Sequence, residues 1–365
     1  MRAVVFEQVG RPVAVAEVQL AAPGPGEVKV QIAAAGVCHS DLHVQNGDWD
    51  LPVPLVLGHE GSGVVVELGS GVTGLKVGDH VVLSWVAPCG KCRQCLRGHE
   101  VRCEVAATTV AVGGNLNDGT SRLSFNGRRL NHYLGVSSFA EAAVVPASGA
   151  IKIRQDAPLD VVALVGCAVA TGVGAVINTA GVEAGSSVAV VGCGGVGLSV
   201  VQGARLAGAE RIVAIDVRRE KTALARTLGA TDELVATDGD LPEQVRELLP
   251  EGVDYAFDAI GKTTTTEQCI AMLALGGAAV IVGIPAAGAR ASFEPQNLVD
   301  RDQRILGSNY GGVRPSVDLP RLVDQYMNGH IQLDALVSGR RSLEDAEACL
   351  NELAGGGVLR QLLIP

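Results

Sequence analysis

The sequence predicts an α/β protein in which a β-rich, barrel-like part is followed by a doubly wound parallel sheet. Three observations carry that reading. Residues 1 to about 150 consist of short apolar β-type runs broken by Gly and Pro, with turn signals such as PGPGE and GVTGLKVGD between them. From Ser186 the texture changes to strand, glycine turn, helix and second strand in SVAVVGCGGVGLSVVQGARLAGAERIVAID. A chain of 365 residues, 47 % hydrophobic and 19 % charged, is too long for one ordinary core and implies two domains of a soluble globular protein.

The elements follow in order. AVVF, VAVAEVQL, EVKVQIAAAGV, GSGVVVELG, DHVVLSWV and FAEAAVVP are expected as strands of the first domain. VDYAFDAIG, a helical TTTEQCIAMLALG and GAAVIVGIP continue the strand–helix alternation of the second. Near Gly311 that rhythm fades. VDLPRLVDQYMNG and SLEDAEACLNELAGG then read as helices, and LRQLLIP as a final strand.

Composition excludes several classes of partner. A net charge of −10 disfavours nucleic acid and anionic membrane surfaces. The opening MRAVVFE enters a strand pattern with no basic and apolar leader, so no secretory signal is expected. The long uncharged stretch VVALVGCAVATGVGAVINTAGV carries glycines, Thr171, Asn178 and Thr179, which suit a buried core segment better than a membrane span. Nine cysteines in such a chain favour metal ligation over disulfides.

Four of those cysteines, Cys89, Cys92, Cys95 and Cys103, form the run C-x2-C-x2-C-x7-C. Four thiolates so close in sequence can surround one tetrahedral Zn²⁺ and leave no open position, which describes a structural site. An iron–sulfur centre uses similar spacings, and a pair of disulfides is the plainest alternative.

Gly192, Gly194, Gly195 and Gly197 lie in GCGGVG, between the strand SVAVV and a helix, and Asp216 ends the next strand nineteen residues after Gly197. This context is that of a dinucleotide site, with pyrophosphate at the helix N-terminus and Asp216 on the adenosine ribose. The Asp216 charge would repel a 2′-phosphate and so favours NAD over NADP, although Arg218 and Arg219 stand nearby. Lys221 is a candidate cap for the ribose, or a solvated lysine at the start of a helix.

Three further potential ligands, Cys38, His59 and Cys167, are distant in sequence. Two thiolates and one imidazole with a free fourth position make a catalytic zinc arrangement for polarising an alcohol or carbonyl oxygen. Spacing alone does not join the three, and taken singly a cysteine such as Cys167 in an apolar run is more often a core thiol than a ligand.

GHEGSGVVVELGSGV, the four-cysteine run, DGTSR, HYLGVSSFAE, GCAVATG, GCGGVG, GSNYGG and LRQLLIP, in this order, resemble the zinc-dependent medium-chain alcohol dehydrogenases over essentially the whole chain. The animal, plant and glutathione-dependent formaldehyde dehydrogenase branch is the most similar. The resemblance implies a GroES-like catalytic domain over 1–168 with a structural-zinc lobe at about 89–103. It implies an inserted Rossmann NAD-binding domain over 169–309, and a return to the catalytic domain over 310–365. It also implies two Zn²⁺ per subunit, one catalytic (Cys38, His59, Cys167) and one structural, together with NAD. A cytoplasmic homodimer is expected, tetramers being the bacterial alternative.

The same resemblance assigns roles. Asp41 matches a carboxylate that orients the ligand histidine, and Glu60 an acidic residue behind the metal. Ser40 matches the hydroxyl that takes the substrate proton, and His43 the surface histidine that releases it through the nicotinamide ribose. His39 and Arg360 match pyrophosphate contacts; Thr171 and Val196 press on the nicotinamide ring. Trp49, Trp85, Tyr133, Ile284 and Asn309 match the substrate pocket, Ile284 on its coenzyme side. Two tryptophans and a tyrosine in a chain with 3 % aromatics suggest an apolar slot for an aromatic or extended alcohol, or else simple packing under loops.

The expected activity is reversible hydride transfer between a primary or secondary alcohol and NAD. Oxidation of a thiol–formaldehyde adduct and reduction of a specialised aldehyde or ketone are alternatives. The loop EVAATTVAVGGNLNDG lacks the arginine that anchors glutathione in the formaldehyde branch. A non-enzymatic zinc- and nucleotide-binding protein is disfavoured, because Cys38, His59, Cys167 and Ser40 are all present.

Overall fold

A computed structural model of the chain describes residues 1–236 and 239–365. These residues form two compact units, Met1–Ala168 with Arg314–Pro365, and Val169–Val313, so the second interrupts the first in sequence. The return to the first unit comes at Arg314 rather than at 310. Tyr310–Gly312 forms a short turn that packs within the second unit, where Asn178 Nδ2 donates to the Gly311 carbonyl at 3.2 Å.

The core of the first unit is a mixed sheet with strand order 150–152, 80–83, 60–68, 27–36, 360–364 and 337–342, while 142–146 also pairs with 27–36. Its strands carry Val28, Val30, Ile32, Val65, Val81 and Leu83 inward, all nearly or fully buried. Each such fully buried aliphatic side chain contributes roughly 1.5–3 kcal/mol to the unit's stability. A smaller sheet orders 131–132, 55–56, 2–6 and 14–17. The last strand, Arg360–Ile364, runs antiparallel to Glu27–Gly36 with Leu362 opposite Gly36. That pairing brings the C-terminal segment beside the loop carrying Cys38, since Val37 N–H donates to the Gln361 carbonyl at 2.9 Å.

The second unit holds six parallel strands in the order 232–235, 211–216, 187–191, 253–258, 273–281 and 304–307. Strand order reverses at Ser187–Val191, and ligands of such sheets bind beyond the carboxyl ends at that reversal. Gly192 follows Val191 at this point. One element differs from the sequence reading: the helix Thr263–Ala271 ends early, and Leu273–Gly276 begins the strand Leu273–Ile281. Leu273 pairs with Val253, and after an irregular stretch the register resumes at Ala278 opposite Tyr255, so sheet pairing overrides a weak helical preference. Among the described residues no single helix is long and apolar enough to cross a membrane.

Candidate active site

Cys38, His59 and Cys167 converge in the first unit, with their ligand atoms all within 4.8 Å of one another and all three side chains buried. Each arrives on a different element. Cys38 caps the helix His39–Asn46, His59 precedes the strand Glu60–Leu68, and Cys167 ends the short helical turn Ala163–Gly166. Gly58 fixes the approach of His59. Its φ of +90° suits glycine, and an added Cβ would stand 2.4 Å from Phe139 Cδ1.

Asp41 organises the cluster. Its Oδ2 accepts the Cys38 N–H at 2.9 Å, and its Oδ1 accepts the Gly58 N–H and the His59 Nδ1–H, both at 3.3 Å. Nδ1 thus carries a proton, and Nε2 is the ring nitrogen turned toward the thiols. His59 Nε2 is buried with no hydrogen-bond partner. A buried ring nitrogen without a hydrogen-bond partner, facing two thiols and held from behind by a carboxylate on Nδ1, fits a metal ion that displaces the protons of the cluster.

Charge in the cluster follows from burial and close neighbours. Burial opposes the imidazolium of His59, but Asp41 and Cys38 outweigh it and hold it up to about 10. The neighbouring Cys167 thiol, against the effect of burial and with help from Arg360, holds Cys38 well below the ordinary thiol range. Cys167 moves the opposite way, so the two sulfurs share one proton. An ion entering the cluster displaces these protons.

Glu60 is buried behind the thiols. Its Oε1 accepts the Ala168 N–H at 3.0 Å, and its Oε2 lies 3.4 Å from Arg360 Nε. Burial pushes its carboxyl up to about 7, against the opposing Arg360 charge. Arg360 is itself only 3 % exposed, with one terminal nitrogen donating to Cys38 Sγ at 3.4 Å. The sequence reading placed this guanidinium at the coenzyme pyrophosphate; its contacts here are with Glu60 and Cys38. An arginine at the head of an apolar C-terminal strand was the available signal for such burial.

Ser40 Oγ lies 3.8 Å from Cys38 Sγ. His43, one helical turn on, is partly exposed, and its Nδ1 lies 2.8 Å from Asp48 Oδ2. His39 is exposed on the same helix. Tyr133 differs from the pocket role expected of it. It is fully buried in the core with Phe139 and Leu57, its ring meets His59 edge-on, and its hydroxyl donates to the Ser40 carbonyl at 2.9 Å. A side chain with no accessible surface cannot be touched from solvent, so Tyr133 instead holds the Ser40 backbone at the first turn of the helix His39–Asn46. Trp49 is half-buried and stacks on His43, and Trp85 packs on the sheet core.

The four cysteines of the run also meet, with all sulfurs within 4.8 Å of one another. All nine cysteines are free thiols, which removes the disulfide alternative. Bonds of about 2.3 Å to one tetrahedral ion put sulfurs about 3.8 Å apart, which this packing fits and a multi-iron cluster would exceed. Backbone N–H groups of Cys95 and Glu104 hold the Cys92 thiol at about 6, readying it as a thiolate.

In the second unit, the Asp216 carboxylate accepts the Cys193 N–H at 2.8 Å and the Arg218 N–H at 3.0 Å, tying the glycine turn to the end of the next strand. An added Cβ on Gly197 would stand 1.7 Å from the Gly192 carbonyl oxygen, so the turn itself needs that glycine. Gly194 is different: no protein atom lies within 4 Å of where its Cβ would stand. Its missing side chain leaves room for a ligand to reach the N-terminus of the helix Gly195–Ala207. Val196 is half-buried on that helix, and Lys221 is half-buried on the helix Arg219–Leu228. A cavity of about 480 Å³ opens beside Asp216, lined also by Ile215, Val217, Ile260 and Thr265. Thr171 is half-buried on the helix Ala168–Gly174, while Ile284 and Asn309 are exposed.

The family model for the alcohol dehydrogenase GroES-like domain matches residues 24–155, and that for zinc-binding dehydrogenases matches residues 195–326. An S-(hydroxymethyl)glutathione dehydrogenase from Synechocystis is 42 % identical over 99 % of both chains. The structure of benzyl alcohol dehydrogenase from Acinetobacter calcoaceticus superposes with a TM-score of 0.94 at 32 % identity, covering 100 % of this chain and 98 % of that one. A zinc-binding dehydrogenase from Sinorhizobium meliloti, solved with NADP, gives 0.84 at 31 % identity, covering 100 % and 99 %. With both domain models matched, both cysteine clusters assembled and the relatives aligned end to end, the chain belongs to the zinc-dependent medium-chain alcohol dehydrogenase family, in its class III-like branch.

Proposed function

We propose that the protein catalyses reversible NAD-dependent oxidation of a primary or secondary alcohol bearing an aromatic or extended apolar group. The observation that carries this reading is the buried, unpartnered His59 Nε2 facing Cys38 and Cys167, with the Ser40 hydroxyl beside them. Zn²⁺ held by those three residues would supply Lewis-acid polarisation of the alcohol oxygen, and NAD at the glycine turn a hydride acceptor. The chain's own residues do the rest. Asp41 keeps the proton of His59 on Nδ1, Tyr133 fixes the Ser40 backbone, and Ser40 Oγ takes the alcohol proton. His43, on the same helix face three residues on, passes that proton to solvent. Asp216, anchored by two backbone N–H groups, presents its charge where a 2′-phosphate would sit, which supports NAD over NADP.

A second reading, oxidation of a hydroxymethyl-thiol adduct, is favoured by the name of the 42 % identical relative. Against it, residues 104–119 contain no lysine or arginine to hold a glutathione carboxylate. Turnover with NAD and with NADP across benzyl-type, aliphatic and terpenoid alcohols, and with formaldehyde plus glutathione, separates the two. NADH from benzyl-type alcohols supports the proposal; NADH from the thiol adduct alone refutes it. The homodimeric state and cytoplasmic location rest on the resemblance, and sedimentation tests the former.

A further inference from the structure

We infer that Asp48 and Trp49 are positioning residues for His43: they fix its ring and its tautomer so that Nε2 is the nitrogen that exchanges the proton. The inference rests on the relay role proposed for His43 and adds two residues to it.

The argument begins with the end of a helix. His39–Asn46 stops at Gly47, whose left-handed conformation (φ 77°) turns the chain back on itself. The next N–H, that of Asp48, donates to the His43 carbonyl at 2.9 Å. The Asp48 backbone is therefore tied to the residue its side chain then serves, because Oδ2 lies 2.8 Å from His43 Nδ1. These two contacts bind residues 43 and 48 to each other by backbone and by side chain. Trp49 adds a third constraint. Its ring stacks on the imidazole with centroids 5.1 Å apart and planes 24° from parallel, and the side chain also packs on the core that includes Val44 and Leu55. A half-turn of the imidazole about its Cβ–Cγ bond would lose the hydrogen bond, and the angles it must pass through would break the stack.

The chemical consequence concerns one proton. A carboxylate only accepts, so Nδ1 must carry hydrogen, and the lone pair is left on Nε2. Histidine free in water prefers the opposite tautomer. Asp48 thus inverts the intrinsic preference and leaves Nε2 as the nitrogen free to take a proton. Both side chains are partly exposed, at 28 % for His43 and 35 % for Asp48, as a proton outlet to solvent requires.

The test uses the zinc-loaded enzyme with ¹⁵N-labelled histidine, the His43 resonances being identified by their loss in His43→Gln. The wild type should show Nδ1–H. Asp48→Ala should lose that signature, and Asp48→Asn should keep it, because the amide oxygen still accepts from Nδ1. In steady-state turnover Asp48→Ala should lower kcat about tenfold, a fraction of the roughly 10²–10⁴-fold that a positioned acid–base group contributes, with KM little changed. Asp48→Asn should recover part of the loss. An Nε2–H tautomer in the wild type, or an unchanged tautomer in Asp48→Ala, overturns the inference whatever the activity. An altered tautomer with unchanged kcat overturns the positioning role. If His43→Gln itself turns over at the wild-type rate, the failure lies with the relay, and the tautomer result still stands or falls separately.

Discussion

Asp41→Asn is the most discriminating change at the candidate metal centre, because asparagine is the same size and can satisfy only one side of the site. The carboxylate accepts three N–H groups, from Cys38 at 2.9 Å on one oxygen and from Gly58 and His59 Nδ1 at 3.3 Å on the other. An asparagine whose oxygen faces His59 turns its NH₂ toward the Cys38 N–H, donor against donor. Turned the other way, its NH₂ meets Nδ1, which must then accept, and the ring proton moves to Nε2. That nitrogen is the one the cluster needs bare. Hydrogen bonds to a charged group contribute about 1.5–3 kcal/mol each, and losing the partner of a ligand histidine typically costs about 10- to 100-fold in metal affinity. The expected penalty is therefore about 1.4–2.7 kcal/mol of zinc binding. Competition with a chromophoric chelator measures it, since the two zinc ions of each chain should release in separate phases. Asp41→Asn should accelerate one phase and leave the phase belonging to Cys89, Cys92, Cys95 and Cys103 unchanged. Two phases identical to wild type would refute the orienting role of Asp41.

The remaining predictions concern stability. Cys89→Ser should remove one zinc per chain and lower the Tm, while kcat per zinc-loaded active site stays near wild type; a loss of kcat without loss of stability would contradict a purely structural lobe. His132 gives the clearest pH dependence. It is buried, its Nε2 accepts the Arg122 N–H at 3.2 Å, and burial together with Arg122 and Arg129 pushes it from 6.5 down to about 3. The unfolded chain therefore binds a proton that the native state refuses, and stability falls as pH drops below 6.5 until about 3. Between pH 7.5 and 5 urea unfolding should show a loss of about 2 kcal/mol relative to His132→Gln, which keeps an acceptor and does not titrate. Equal slopes for the two proteins would remove His132 as the cause.

How much of this was legible beforehand depends on the distance over which each signal acts. The GCGGVG turn and the four-cysteine run are local, so their chemistry could be read from spacing. Cys38, His59 and Cys167 are not local, and only the resemblance joined them before the fold did. The contacts missed were those made by side-chain direction across the fold. Arg360 reaches Cys38 because its strand pairs with Glu27–Gly36, a register no single-sequence pattern reveals. Tyr133 was expected at a pocket because the resemblance matches it to one, yet its hydroxyl donates to the Ser40 carbonyl and the ring lies in the core. Asp48 was within reach: an acid directly after a helix-ending glycine, five residues beyond a histidine, is placed to fold back on it.

The central claim is that Cys38, His59 and Cys167 hold the metal on which hydride transfer depends. Zinc content and alcohol-dependent NADH formation, measured on one preparation of wild type and of Cys38→Ala, test it together. The wild type should carry two zinc ions per chain and reduce NAD. Cys38→Ala should keep the ion of the four-cysteine lobe, lose the other, and lose turnover with it. Full hydride transfer by Cys38→Ala would contradict the account.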